Sequence, residues 1–433
     1  MSAVVVSVSM LGAGSDPAGY YLAREANCPA EYYLGAEPAG RWLGAGAEAA
    51  GLSGSLDASG AAALRRLLAG RAPDGAVLVP EVIRADRRGR LPARPLVDAI
   101  TARATAQPVT PAALFGQPQE RALFTALEAR AARGRGARQA TVSPDRAEQL
   151  ATAAGLDVSD VYRAQDGTDR YAAAVRFADR RVDVRRPGVD VTISAPKSVS
   201  VLFGLGNNDT SSAVRAGHQA AVSEALGYLE SVAGHGLRGH QGDGQRAQHI
   251  ATDGWIVAAF EHRTSRAGDP QLHTHLVVPN LLHGADGKWT AIDTKAIYRH
   301  ALTASYLYHA VLRAELTRRL GVAWTAPVKG IAEINGIPQD LLDTFSTRRK
   351  QIETAMTAAA TTGPDAAQAA CLATRPAKTG IPENTLREQW ATRSEAAGHR
   401  PRHLVDNTLG TSRALPLPAI RQLAHYLLGP SGL

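Results

Sequence analysis

The chain has 433 residues, 45% of them apolar and 20% charged, which is enough to bury a large core and to build about three structural units. Its two cysteines, Cys28 and Cys371, are too few and too far apart for a disulfide scaffold or a cysteine-rich zinc site, so any metal must be held by histidines and carboxylates. No stretch approaches the ~18 apolar residues of a membrane span, residues 1–10 lack the basic and apolar regions of a signal peptide, and the net charge of +8 rests on 42 Arg and only 6 Lys, which together read as a cytoplasmic protein suited to phosphate.

In chain order, Val4–Ser9 alternates like a short strand, and Asp16–Ala26 follows as a helix with Pro17 in its first turn. That helix carries the pair Tyr20-Tyr21; a second pair, Tyr32-Tyr33, lies just beyond it. From Arg65 to Arg186 the chain becomes Ala/Arg-rich helices broken by Pro and Gly, such as Glu120–Arg133 and Pro144–Ala154. This segment holds 22 Arg against 14 acidic residues, an excess equal to that of the whole chain. A GC-rich genome also enriches Arg, so the location of the charge says more than its amount. Residues 65–186 are expected to form a basic, mostly helical insert.

Asp190–Phe203 reads as a strand and a turn at Ala195-Pro196 followed by apolar residues, and Ser211–Val232 reads as a helix. Gly254–Arg263 and Gln271–Val278, rich in β-branched and aromatic residues, form two strands separated by the turn Gly268-Asp269-Pro270; Lys288–Ile292 is a shorter strand after the turn at Gly284–Gly287. Thr294–Leu320 is a long helix without internal Pro or Gly. Beyond Pro327 the chain is helical and Ala-rich, and residues 404–433 read as a linker or tail.

The chemistry concentrates in Glu261–His275. Residues two apart on a strand share a face, so His273 and His275 present two imidazoles side by side. His262 ends the preceding strand, and the Gly-Asp-Pro turn returns the chain so that a third imidazole joins them. Three histidines leave open metal positions for phosphate oxygens, whereas a lone histidine is usually a packed or solvated ring.

The run Phe260-Glu-His262-Arg-Thr-Ser-Arg266 with Asp269-Pro-Gln-Leu-His273-Thr-His275 resembles the three-histidine signature of the MobF (TrwC/TraI-type) conjugative relaxases of the HUH endonuclease superfamily. Tyr20-Tyr21 and Tyr32-Tyr33 resemble that family's doubled tyrosines, and Gly40–Ala47 with Gly51–Gly54, and Asp190–Ser200, resemble its next blocks. The resemblance implies an α+β palm, a central mainly antiparallel sheet flanked by helices, built from residues 1–64 and 187–325. The 65–186 lobe is inserted into it, and residues 326–403 form a helical DNA clamp.

It further implies a DNA relaxase that nicks one strand at an origin of transfer, forms a 5′-phosphotyrosine and later rejoins the strand. Tyr20 would be the nucleophile and Tyr32 a second one, since neighbours on a helix project about 100° apart and only one of each pair can face the metal. Tyr21 and Tyr33 would then pack or contact DNA. Asp190 would take the nucleophile's proton or orient a metal-bound histidine; a phenol, with a pKa of about 10, needs such help. Lys197, Arg263 and Arg266 flank these groups as phosphate contacts. One divalent cation is expected, Mg²⁺ or Mn²⁺ in function, although imidazoles also favour Zn²⁺, Ni²⁺ or Co²⁺. The implied partners are origin-of-transfer DNA, both single-stranded and hairpin, relaxosome accessory proteins and a coupling protein.

No Walker A motif occurs, so no helicase part is expected within these residues. A rolling-circle replication initiator would use the same three histidines, but its tyrosine usually follows the metal hairpin, whereas these precede it. A non-enzymatic DNA-binding module would explain the basic segment and none of the His/Tyr geometry.

Overall fold

The computed structural model describes residues 6–12, 39–133, 140–183, 185–239, 248–374 and 383–412. The chain forms two compact units, one from residues 1–79 and 186–433 and the other from 80–185.

The first unit is organised by a five-stranded sheet. Its strands are β1 (Val6–Met10), β2 (Arg41–Leu43), β3 (Gly188–Ser194), β4 (Val257–Thr264) and β5 (Pro270–Pro279), arranged β1-β3-β5-β4-β2. Every neighbouring pair is antiparallel. Strand alternation decides which side chains face which layer. From β3, Val189, Val191 and Ile193 point to one face, joined by Leu272, Leu276 and Val278 of β5 and by Val257 and Ala259 of β4. We call this the back face. Two long helices cover it, α1 (Asn208–Ala233) and α2 (Thr294–Leu320), through Val214, Val222, Ala225 and Leu229 of the first and Ala304, Tyr308, Leu312 and Leu316 of the second. Both helices start on side-chain caps: Asn207 accepts from Thr210 N at 2.8 Å, and Asp293 accepts from Lys295 N at 3.0 Å. At its far end α2 stops on Gly321, whose φ of 63° is left-handed.

The opposite, front face is apolar at one end only. There Trp42, Ala258, Phe260 and Val277 pack with Leu64, Leu67 and Leu68 of the helix Ala58–Leu68. This helix moves the boundary of the insert. Residues 65–79 belong to the first unit, and the separate unit begins at Pro80 rather than at residue 65. Counting charge could not show this, because Arg65 and Arg66 share a helix with leucines that are buried in the first unit's core.

The region after Pro327 also differs from a separate clamp. Leu341, Phe345, Leu386, Trp390, Leu404 and Val405 enter the same core as the sheet. Helix Pro401–Thr408 crosses the expected start of the tail at residue 404, with Leu404 and Val405 buried. The apolar stretch after Ala195-Pro196 is a helix, Lys197–Leu205, buried on nearly every side.

The second unit has its own core of Leu96, Ile100, Phe115, Phe124, Leu127, Val142 and Leu150, supplied mainly by helices Ala93–Ala106, Pro118–Arg133 and Pro144–Ala153. It is entered and left through a neck of two short antiparallel strands, Ile83–Ala85 and Arg181–Asp183. Among the described residues no helix is long and apolar enough to cross a membrane.

Candidate metal centre and active site

The β4–β5 hairpin builds the site. His262 and His273 are direct cross-strand partners, and His275 follows two residues on, so all three imidazoles stand on the front face. They occupy the end of that face next to Phe260, whose cross-strand partner is His275. Their ring centroids are 4.9–5.2 Å apart, and one nitrogen from each lies within 4.8 Å of the others. Among the described residues no other group of three His, Cys, Asp or Glu is arranged to hold a metal ion.

Two of the rings are fixed from behind. His273 donates through Nδ1 to the Gln271 carbonyl at 2.8 Å. His275 donates through Nδ1 to Asp190 Oδ2 at 2.8 Å, with Thr192 Oγ1 at 3.0 Å from the same nitrogen. Each bond holds the proton on Nδ1 and leaves the Nε2 lone pair as the ligand atom. Asp190 and Thr192 lie on β3, beside β5, with Thr192 opposite His275 in register, and Thr192 donates to Asp190 Oδ1 at 3.2 Å. Asp190 is only 6% exposed. The donor set is three imidazoles with a buried carboxylate behind one of them, which fits a divalent cation with open positions.

The expected phosphate contacts fall in different surroundings. Lys197 is half-buried, donating to the Pro270 carbonyl and to Gln271 Oε1, each at 2.9 Å. Burial lowers its pKa to about 8, against the opposing pull of Asp269 and Glu333. It therefore holds the start of β5. Arg263 is 5% exposed, while Arg266 sits partly exposed in the turn. Tyr20, Tyr21, Tyr32 and Tyr33 lie outside the described residues.

Several contributors carried no obvious signal. The turn of the hairpin is pinned by the C-terminal helices: Trp390 Nε1 donates to the Gly268 carbonyl at 2.7 Å, and Arg393 donates to buried Asp269 at 2.8 Å. On the back face Glu261 pairs with Arg215 at 2.8 Å and accepts from Gln219 at 2.9 Å, and Thr274 bonds His218 at 2.8 Å. The only sequence trace of these is a polar residue at an inward position of each strand.

The glycine block after Gly40 has a steric cause. Gly44 has φ 88°, and a Cβ there would collide with the Trp255 carbonyl oxygen; one at Gly46 would collide with the Gly254 carbonyl. The block lets the chain after β2 lie flat on the segment that leads into β4.

A family model described as TrwC relaxase matches residues 15–397, and the chain belongs to that family. The multifunctional conjugation protein TraI of Escherichia coli is 30% identical over 247 residues, which cover 54% of this chain and 12% of TraI. TraI of strain K12 is 30% identical over 275 residues, covering 59% of this chain and 14% of its own length. This chain thus spans about one-eighth of the curated relatives it matches. Among solved structures, the conjugative relaxase TrwC in complex with oriT DNA, in a copper-bound form, superposes with a TM-score of 0.56 at 22% identity, covering 92% of this chain and 99% of that one. TrwC with a 27-mer comprising the recognition hairpin and the cleavage site gives 0.53 at the same identity and coverage. The likeness shows the same α+β fold.

Proposed function

We propose that this chain nicks one strand of DNA at an origin of transfer by transesterification. The observation that carries the reading is the cluster of His262, His273 and His275, backed by Asp190, in a chain of the TrwC relaxase family. In the proposed step the phenol oxygen of Tyr20 attacks the scissile phosphorus. The new bond is Tyr20 Oη–P, the bond broken is P–O3′, and the phenol proton leaves to a base while the departing 3′ oxygen takes one up. One phosphodiester replaces another, so the 3′-OH can later reverse the reaction and rejoin the strand.

A divalent cation, Mg²⁺ or Mn²⁺, would supply positive charge against the phosphate oxygens. His262, His273 and His275 would hold it, and Asp190 keeps His275 in the ligating tautomer. Arg266, partly exposed in the turn, would meet a phosphate; Lys197 serves better by holding the start of β5, and Arg263 is too buried for that contact. The Arg-rich unit 80–185 and the helical region after Pro327 would add phosphate contacts. Tyr32 would act as the second nucleophile, with Tyr21 and Tyr33 in support. Hairpin and single-stranded origin DNA, relaxosome accessory proteins and a coupling protein are the partners of this reading, in the cytoplasm.

The test is a single-stranded oligonucleotide bearing the cognate site, assayed for a covalent adduct. The adduct should require a divalent cation, disappear in Tyr20→Phe and in a His273→Ala, His275→Ala double variant, and survive in Tyr32→Phe. Full activity in the double histidine variant would refute the metal assignment, and a first-cut adduct mapped to Tyr32, Tyr21 or Tyr33 would refute the choice of nucleophile.

A further inference from the structure

The three ligands occupy the front face of the hairpin, and two polar residues occupy its back. Glu261 and Thr274 are cross-strand partners, set between the pair His262–His273 and the pair Phe260–His275. The inward residues that precede Glu261 on β4, Val257 and Ala259, and those that flank Thr274 on β5, Leu272, Leu276 and Val278, are apolar. Glu261 and Thr274 are both buried.

One helix grips the two of them. Arg215 and Gln219 of α1 hold Glu261, the first at 2.8 Å through its guanidinium and the second at 2.9 Å through its side-chain amide. His218, on the same helical face, bonds Thr274 Oγ1 through Nε2 at 2.8 Å and the hydroxyl of Tyr308 through Nδ1 at 2.7 Å. Tyr308 stands on α2, so the chain Thr274–His218–Tyr308 ties the hairpin to both covering helices. His218 is fully buried, and burial holds it neutral, with a pKa near 3. A neutral imidazole donates from one nitrogen and accepts at the other, so both its hydroxyl partners are satisfied. The hydrophobic effect would favour Val and Leu at both back positions. A polar pair there costs desolvation, which its bonds to α1 only offset.

We propose that Glu261 and Thr274, held by Arg215, His218 and Gln219, are positioning residues that set the spacing of His262 against His273 and His275. The inference rests on the metal reading of those histidines. Each back residue adjoins a ligand in sequence, Glu261 beside His262 and Thr274 between His273 and His275, so a shift at the back moves a ligand at the front. Apolar packing alone constrains a strand across the sheet but is weakly directional, whereas a hydrogen bond also fixes where along the strand the residue sits.

Mn²⁺ binding measured by calorimetry on the intact chain, with Co²⁺ absorption as a readout of ligand geometry, tests this. Thr274→Val keeps the branched shape and removes the hydroxyl. It should weaken Mn²⁺ binding about five- to tenfold, toward the low end for outer-shell groups, and shift the Co²⁺ spectrum. Thr274→Ser should restore both. Gln219→Met, on the helix, should weaken binding about threefold and serves if Thr274→Val does not fold. DNA affinity in chelator should stay within about twofold for all three, because none of these side chains reaches the front face. A folded Thr274→Val or Gln219→Met with wild-type Mn²⁺ affinity and Co²⁺ spectrum overturns the proposal, as does a failure of Ser to rescue. His273→Ala is the control: if it binds Mn²⁺ as wild type does, the metal reading fails, and the positioning role fails with it.

Discussion

Replacing Asp190 by Asn separates two roles for this carboxylate. Its Oδ2 accepts from His275 Nδ1 at 2.8 Å, a charge-assisted bond that fixes the tautomer and makes Nε2 a better ligand. Outer-shell partners of this kind are worth about 10- to 100-fold in metal affinity. The lower figure applies here, because Thr192 Oγ1 stays 3.0 Å from the same nitrogen and can keep the tautomer. Asp190→Asn should therefore raise the metal concentration for half-maximal nicking about tenfold, or about 1.4 kcal/mol of binding. The assay is oligonucleotide nicking titrated with Mn²⁺, read at half-saturation and at the plateau. If Asp190 only orients His275, the plateau rate stays near wild type. If it takes the Tyr20 proton, the plateau falls and no amount of metal recovers it. An unchanged half-saturation point with an unchanged plateau would refute the argument that this hydrogen bond matters to the site.

Acid should unfold the first unit through His218. Its pKa is lowered from 6.5 to about 3, so the unfolded chain takes up a proton that the folded one refuses. The stability is fully present above pH 6.5 and falls by up to about 1.4 kcal/mol per pH unit toward pH 3; denaturation midpoints for His218→Phe should depend less on pH in that window, and an unaltered slope would contradict this. Trp390→Ala removes a ring that is 1% exposed, together with its bond to the Gly268 carbonyl. It should cost about 3–5 kcal/mol in chemical denaturation, and a loss below 1 kcal/mol would mean that the C-terminal helices do not hold the hairpin turn. Removing residues 80–185 should leave a folded first unit whose DNA binding depends less steeply on salt, the slope of log K against log salt dropping by about 0.7 per lost phosphate contact on single strands; an identical slope would show that this unit does not touch DNA.

The elements nearest the chemistry were legible because their patterns are local. Two runs of β-branched residues around Gly268-Asp269-Pro270 specify a hairpin, and the period of two then puts His273 and His275 on one face. The helix over Thr294–Leu320 was readable to the residue, since Asp293 caps it and Gly321 ends it. What local pattern could not supply depends on contacts between residues far apart in the chain. Asp190 was named through the family resemblance and not from local pattern, because it is 85 residues from His275 and only strand order makes them neighbours. Lys197 read as a phosphate contact because nothing local reveals that its ammonium donates to the Pro270 carbonyl. The insert's first boundary was misplaced for the same reason: the partners of Leu64 and Leu67 are Trp42 and residues of β4 and β5.

The neck at Ile83–Ala85 and Arg181–Asp183 has a bearing on how the fold tolerates change. The chain leaves β2 at one edge of the sheet and must travel to β3, near the other edge, so this connection is long whatever it carries. An unstructured loop of over a hundred residues would pay a closure entropy that grows with the logarithm of its length. A folded unit whose two ends are paired strands presents instead ends about 5 Å apart, so to the host sheet it counts as a short loop. Cargo of quite different size could thus be exchanged at this point without disturbing the order in which the sheet assembles, which makes the neck a natural port for grafting another domain onto this chain.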